Sequence, residues 1–171
     1  MGAAAVLAEM PPTEWAALVM AQRFDLGAGA AGLGFVAFTA GMVTGRLSGD
    51  HVVDRVGSEA TRRGGALLAL AGIVLVGISP TQGVAAAGLA VTGLGASSLF
   101  PMAVARAGEL AGSSTGVALF SSGARAGMLL GSPAMGAISD ASTRTVALVA
   151  IAGTAAVISA AVRLPDAPAA A

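Results

Sequence analysis

Four ionisable or aromatic side chains lie within stretches that are otherwise mostly apolar. Side chains of these types could bind a charged solute, form an ion pair or carry a proton there. One of them, Arg125, has at least 14 uncharged residues on either side. A guanidinium is costly in hydrocarbon, so Arg125 is expected to face a bundle interior or an aqueous cavity and to meet an acid or an anionic solute. The alternative, a structural ion pair or a side chain that reaches a membrane interface, stays open.

The other three, Glu9, Glu14 and Trp15, surround the pair Pro11–Pro12. Two adjacent prolines free backbone carbonyls and predict a broken helix, and broken helices at membrane depth commonly line a cavity. A carboxylate there is expected to carry a proton or to pair with a cation. In the alternative, this segment lies near the outer interface, with Trp15 as an interfacial aromatic residue. The predicted cavity candidates are therefore Glu9, Glu14, Trp15 and Arg125.

A second group of charged residues is concentrated between residues 46 and 63, where seven charges fall within 18 residues. It separates an uncharged run of 20 residues, 26–45, from another of 42 residues, 64–105. A charged segment between two such runs predicts a short loop at a membrane surface. Within it, Asp54 is expected to cap a neighbouring helix, Arg55 to reach a lipid phosphate or a partner carboxylate, and Gly57 to allow a tight turn.

The composition indicates an integral membrane protein. Hydrophobic residues make up 56% of the 171 residues and charged residues 11%, about half the charged content of a soluble domain. The bilayer is therefore the expected partner of the outer surface. The formal net charge of zero does not favour nucleic acid as a partner. Because cysteine is absent and His51 is the only histidine, no metal site is predicted. No cofactor is predicted, and no enzymatic activity either, because the sequence lacks a clustered acid/base or metal set within the membrane.

Crossing a hydrocarbon core takes about 20 helical residues, which predicts an all-α bundle of about six helices, one of them partial. The predicted helices are 2–21, 28–48, 64–80, 84–106, 114–138 and 144–163, with a disordered tail at 165–171. Glycines recur at every fourth position at 41/45/49, 108/112/116 and 123/127/131, which predicts closely packed helices. With the charged loop in the cytoplasm, six arginines lie on that side and two on the other, so the C-terminus is predicted to be cytoplasmic.

The pattern G-R-x-x-G-D-x-x-x-D-R-x-G over residues 45–57, followed by Arg62, resembles the cytoplasmic loop signature of the major facilitator superfamily. More narrowly, it is similar to the version found in bacterial drug/sugar-type members. Residues 9–15 look like the acid-to-Trp part of helix seven, and residues 93–101 look like helix ten. The resemblance implies helices seven to twelve of a secondary transporter, with the first of them truncated. It also implies movement of a small solute across the inner membrane by alternating access, with a proton as a candidate coupling ion.

The same resemblance implies a cytoplasmic gate, and it has two departures. Asp50 stands where the family usually has glycine, and the basic pair after the turn is displaced to residues 62–63. Because the family has twelve helices, the expected partners are the lipid bilayer, a small solute and a missing N-terminal six-helix half, and the chain alone is expected to be inactive. The alternative is a non-transporting membrane scaffold or a half-size subunit that needs a partner chain. The predicted gate residues are Gly45, Arg46, Gly49, Asp50, Asp54, Arg55, Gly57 and Arg62.

Overall fold

The computed structural model describes residues 2–110 and 114–162, and all regular secondary structure within those ranges is helical. Segments α4 and α5 form one interrupted crossing, residues 82–109. With α4 and α5 counted as one, the described residues form six helices, which confirms the predicted all-α bundle. The helices are α1 Gly2–Phe24, α2 Ala28–Val56, α3 Ser58–Ile78, α4 Gln82–Ala96, α5 Leu99–Leu110, α6 Ser114–Ala141 and α7 Arg144–Ala161.

The first helix is continuous, so the predicted break at the proline pair is wrong. Pro11 and Pro12 lie inside α1 and are buried. A proline inside a helix removes one hydrogen bond and its ring crowds the carbonyl four residues earlier, so tertiary packing must offset this cost. Such packing surrounds α1, which contacts α2, α4, α5, α6 and α7. The first helix is therefore the centre of this bundle.

The segment predicted as a charged loop, residues 49–63, is helical except at one residue. Helix α2 continues to Val56 and α3 begins at Ser58, with Gly57 alone between them. Gly57 has φ +86° and ψ 160°, a conformation that glycine adopts without steric cost. The expected tight turn at Gly57 is confirmed, and the flanking charged residues extend the two helices instead of forming a loop.

The fourth crossing is interrupted at Ser97–Ser98, which form a turn between α4 and α5. Pro101 lies in the first turn of α5. Backbone N–H groups in the first turn have no partner within the helix, so the N–H that proline lacks costs no helical hydrogen bond there. Ser97 at the end of α4 donates its hydroxyl to the carbonyl of Leu94 at 2.7 Å. The interruption of this helix therefore lies at the serine pair and not at Pro101.

Small residues bring α2 and α4 close together. A Cβ at Gly41 would overlap the carbonyl of Ala90, and one at Gly45 would overlap the Ser97 side chain, whereas one at Gly49 would meet open space. The third glycine series packs on α1, where a Cβ at Gly127 would lie 3.0 Å from the Cα of Ala3. Gly112 of the second series lies outside the described residues. Two members of the first series and part of the third thus serve close helix packing.

The bundle buries one main apolar core with three smaller clusters, and it leaves many large apolar side chains on its outside. Leu47 is 83% exposed, Leu129 75% and Leu130 70%, and four of the six helices are long and apolar enough to span a membrane. An apolar outer surface of this extent belongs in a bilayer. The principal core residues, drawn from five crossings, are Val19, Phe38, Ile73, Leu89 and Leu148.

Most other predicted helix ends differ from the observed ones by a few residues; α3 and α7, for example, end at Ile78 and Ala161, two residues earlier than predicted. The predicted tail at 165–171 lies outside the described residues.

Candidate solute cavity and helix-end clamp

An open cavity of about 390 Å³ lies between α1, α2, α5 and α6. The sequence contributes to it from one stripe of α1, at positions spaced by three or four residues, which share one face of a helix. The cavity combines charged, sulfur-containing and aromatic side chains. Its lining residues are Val6, Glu9, Met10, Thr13, Glu14, Arg46, Phe100 and Met128.

One predicted cavity residue and one predicted gate residue are in contact in this cavity. Nη2 of Arg46 donates a hydrogen bond of 3.0 Å to Oε1 of Glu9, which also makes the contact an ion pair. The carboxylate side chain is 25% exposed and the guanidinium side chain 54% exposed. The predicted gate residue Arg46 is thus the charge partner of the predicted cavity residue Glu9.

Glu14 has a different environment in the same cavity. Its side chain is exposed, and its Oε2 accepts a hydrogen bond of 3.4 Å from Oγ of Ser132 on α6. Among the described residues, no basic side chain forms an ion pair with Glu14. The cavity lining therefore holds one neutralised carboxylate and one carboxylate whose charge is not balanced by a neighbour.

The other two cavity candidates lie elsewhere. Trp15 is partly buried and packs against the main hydrophobic core, because one residue along a helix turns the side chain by 100° away from Glu14. Arg125 is exposed on α6 and does not line the cavity. It projects from nearly the same stripe of α6 as Ser132, seven residues and about 10 Å along the axis. Their participation in a solute cavity stays a prediction.

The motif residues fall into two environments at the junction of α2 and α3. Asp50, Asp54 and Arg55 are exposed in the last two turns of α2, and within the described ranges none of them forms an ion pair. Gly45 is buried against α4. The exposed charges are therefore free to meet a lipid headgroup or another protein segment.

Arg62 is buried, with only 2% of its side chain exposed. Its Nη2 donates to the carbonyl of Val162 at 2.7 Å, and its Nη1 donates to the carbonyl of Ser159. Ser159 lies in the last turn of α7 and Val162 is the residue that ends the helix, and carbonyls at a helix C-terminus have no partner within the helix. A guanidinium at this end also interacts favourably with the helix dipole. Arg62 thus clamps the start of α3 to the end of α7.

Glu59 completes the clamp. Its carboxylate accepts two hydrogen bonds from Arg62, at 2.8 and 2.9 Å. Nε of Arg63 lies 2.7 Å from the same carboxylate, in an ion pair without hydrogen-bond geometry. Sequence reasoning did not identify Glu59 or the clamp, although its i, i+3 and i, i+4 spacing from the two arginines was a visible signal.

These features define a class of protein: an integral membrane helical bundle that crosses the bilayer several times and has a charged cavity among its apolar crossings. The chain belongs to the Major Facilitator Superfamily, whose family model matches residues 11–171.

Curated relatives match over part of the chain. An uncharacterized MFS-type transporter of Yersinia pestis is 30% identical over 103 residues, which is 60% of this chain and 27% of the relative. The membrane protein MosC of Rhizobium meliloti is 34% identical over 97 residues, 57% of this chain and 24% of MosC. An uncharacterized transporter of Sinorhizobium fredii is 32% identical over 101 residues, 59% of this chain and 27% of the relative. The matched part of the chain thus spans about a quarter of each of these relatives, and no solved structure matches at the same stringency.

Proposed function

We propose that this chain forms the C-terminal six-helix half of a drug/sugar-type secondary transporter, which moves a small solute across the cytoplasmic membrane by alternating access. The observation that carries the proposal is the cavity formed by α1, α2, α5 and α6, with Glu9, Glu14 and Arg46 on its wall. Charged groups at membrane depth are costly against lipid and mark solute pathways. Family membership supports the same interpretation.

In this proposal the cavity is one half of the solute site, and the other half comes from a second set of six helices. The exposure of Glu14 and Arg125 supports this arrangement, because charged side chains on these helices need water or protein beside them. Alternating access rocks two such halves about a central site. The chain alone therefore binds a solute at most weakly and does not transport it.

We further propose that the end of α2 faces the cytoplasm, together with the C-terminus of the chain. The excess of arginine on that side supports this orientation. Asp50, Asp54 and Arg55 then form a gate with the second half, in one state of the cycle only. Their exposure at the end of α2 is consistent with contacts that form and break. Glu9 and Glu14 are the candidates for carrying a coupling proton.

The proposal is tested in membrane vesicles that contain the chain alone, the chain with an N-terminal six-helix half of a family member, or neither. The vesicles are energised with a proton gradient and given a mixture of sugars, amino acids, organic cations and organic anions, each quantified by mass spectrometry. The expected result is accumulation of at least one solute only when both halves are present. Stable assembly of the two halves without accumulation of any solute would instead favour a non-transporting scaffold.

A further inference from the structure

From the lining of the cavity between α1, α2, α5 and α6 we infer its solute class: an organic cation with an apolar body, held by the carboxylate of Glu14. This inference deepens the proposed function and rests on it for the view that the cavity receives a solute. Three kinds of observation support it: the charge balance of the lining, the chemistry of its apolar residues, and its volume.

The charge balance excludes an anionic solute as the best fit. The lining carries two carboxylates and one guanidinium, a formal net charge of −1. Arg46 is committed to Glu9 by a hydrogen bond of 3.0 Å. The carboxylate of Glu14 has only the Ser132 hydroxyl at 3.4 Å as a described partner. A solute with a positive group therefore finds an available counter-charge, whereas an anion would first have to displace Glu9 from Arg46.

The apolar part of the lining is suited to a cation more than to a sugar. Met10, Phe100 and Met128 line the same cavity as the two carboxylates. An aromatic face attracts a cation through its quadrupole, and methionine side chains adapt to irregular apolar bodies. A polyhydroxylated solute needs many hydrogen-bond partners, and Thr13 is the only uncharged polar side chain among the described lining residues.

The volume of about 390 Å³ lies within the range of pockets that bind small molecules. Arg125 does not oppose the inference, because it lies about 10 Å along α6 from Ser132 and outside the lining. The matching solute has one positive group between Glu14 and the ring of Phe100, and an apolar body against the methionines.

The test uses two probes with the same apolar body and opposite charge, 4-phenylbutyltrimethylammonium and 4-phenylbutanesulfonate. Binding to the chain, assembled with an N-terminal six-helix half of a family member in lipid nanodiscs, is measured by equilibrium dialysis, with nanodiscs that hold the N-terminal half alone subtracted. The ammonium probe is expected to bind saturably and at least about tenfold more tightly than the sulfonate. Glu14→Gln is expected to weaken ammonium binding about tenfold, while the matched variant Asp140→Asn, an exposed carboxylate of α6 outside the cavity, leaves it unchanged.

A second variant keeps the test informative if Glu14→Gln folds poorly. Phe100→Leu is expected to weaken ammonium binding about threefold and to leave sulfonate binding unchanged. Equal binding of the two probes, equal binding by the folded wild type and Glu14→Gln, or no saturable binding of the ammonium probe would overturn the inference. If one of these results were found while the vesicles transported some other solute, the inferred solute class would be refuted and the proposed function would stand. Cation binding without any transport would instead refute the proposed function.

Discussion

Nη2 of Arg46 lies 3.0 Å from Oε1 of Glu9, and this contact joins α2 to α1 on the wall of the cavity. The pair connects two residues that sequence reasoning had assigned to separate roles, a gate and a cavity. Because each charge neutralises the other, the pair also determines which group remains available to a solute. That group is the carboxylate of Glu14.

The ion pair is expected to contribute modestly to stability and to do so cooperatively. Arg46→Met leaves a half-buried carboxylate without its partner and is expected to cost about 1–2 kcal/mol, between the values for exposed and buried pairs. Glu9→Gln is expected to cost a similar amount. The double variant should cost less than the two single variants together, with a coupling free energy of about 1 kcal/mol. Thermal unfolding in detergent, followed by circular dichroism, measures all four proteins; strictly additive costs would contradict the pair.

The clamp that Arg62 forms at the end of α7 is expected to contribute more to the free energy of unfolding than the neighbouring ion pair between Arg63 and Glu59. Arg62→Met removes the charge-assisted donors to Ser159 and Val162 and is expected to cost about 2–4 kcal/mol. The adjacent Arg63→Met, which removes only a half-exposed contact with Glu59, is the matched control and should cost less than about 1 kcal/mol. Hydrogen exchange at the last turn of α7 should accelerate in the first variant only. Equal destabilisation by the two substitutions would rule out the clamp.

Close packing of α2 on α4 is tested by adding one carbon atom. Gly41→Ala places a Cβ against the backbone of Ala90, so the helices must separate, and a loss of about 1–3 kcal/mol is expected. Gly32→Ala in the same helix meets open space and should be neutral or slightly stabilising, since alanine favours the helix. The free energy of unfolding in mild detergent distinguishes the two variants. A neutral effect at Gly41 would mean that the backbones are not in contact.

Much of the fold follows from runs of uncharged residues, because hydrocarbon requires about 20 helical residues per crossing. The same criterion misplaced the junction of α2 and α3. Residues 49–56 carry three charged side chains, but they contain no proline, and the helix continues through them to Val56. At Pro11–Pro12 the error was in the opposite direction, since the surrounding crossings support a helix that local propensity would interrupt.

The site was less predictable, because it depends on how each helix is rotated about its axis. Glu9 and Arg46 are 37 residues apart, and no local pattern indicates that their faces meet. Arg62 and Arg63 are neighbours in the chain, yet the first is buried and the second half-exposed. Adjacent helical positions differ by 100°, so only the packing of α3 on α7 determines which guanidinium reaches the helix end.

The central claim is that the face formed by α1, α2, α5 and α6 borders an aqueous solute pathway. The chain has no cysteine, so single cysteines can be introduced without removing any. Met128 lines the cavity and Leu130 lies beside α7, about 160° around the same helix, and both side chains are exposed. Comparing the two positions controls for membrane depth.

The most direct measurement is the rate at which a charged, water-soluble methanethiosulfonate reagent modifies each cysteine, in membranes where the chain is assembled with an N-terminal half. Thiols react as thiolates, which form in water and not in hydrocarbon. The account predicts that Met128→Cys reacts at least about tenfold faster than Leu130→Cys. Equal rates, or faster reaction of Leu130→Cys, would contradict an aqueous pathway along this face.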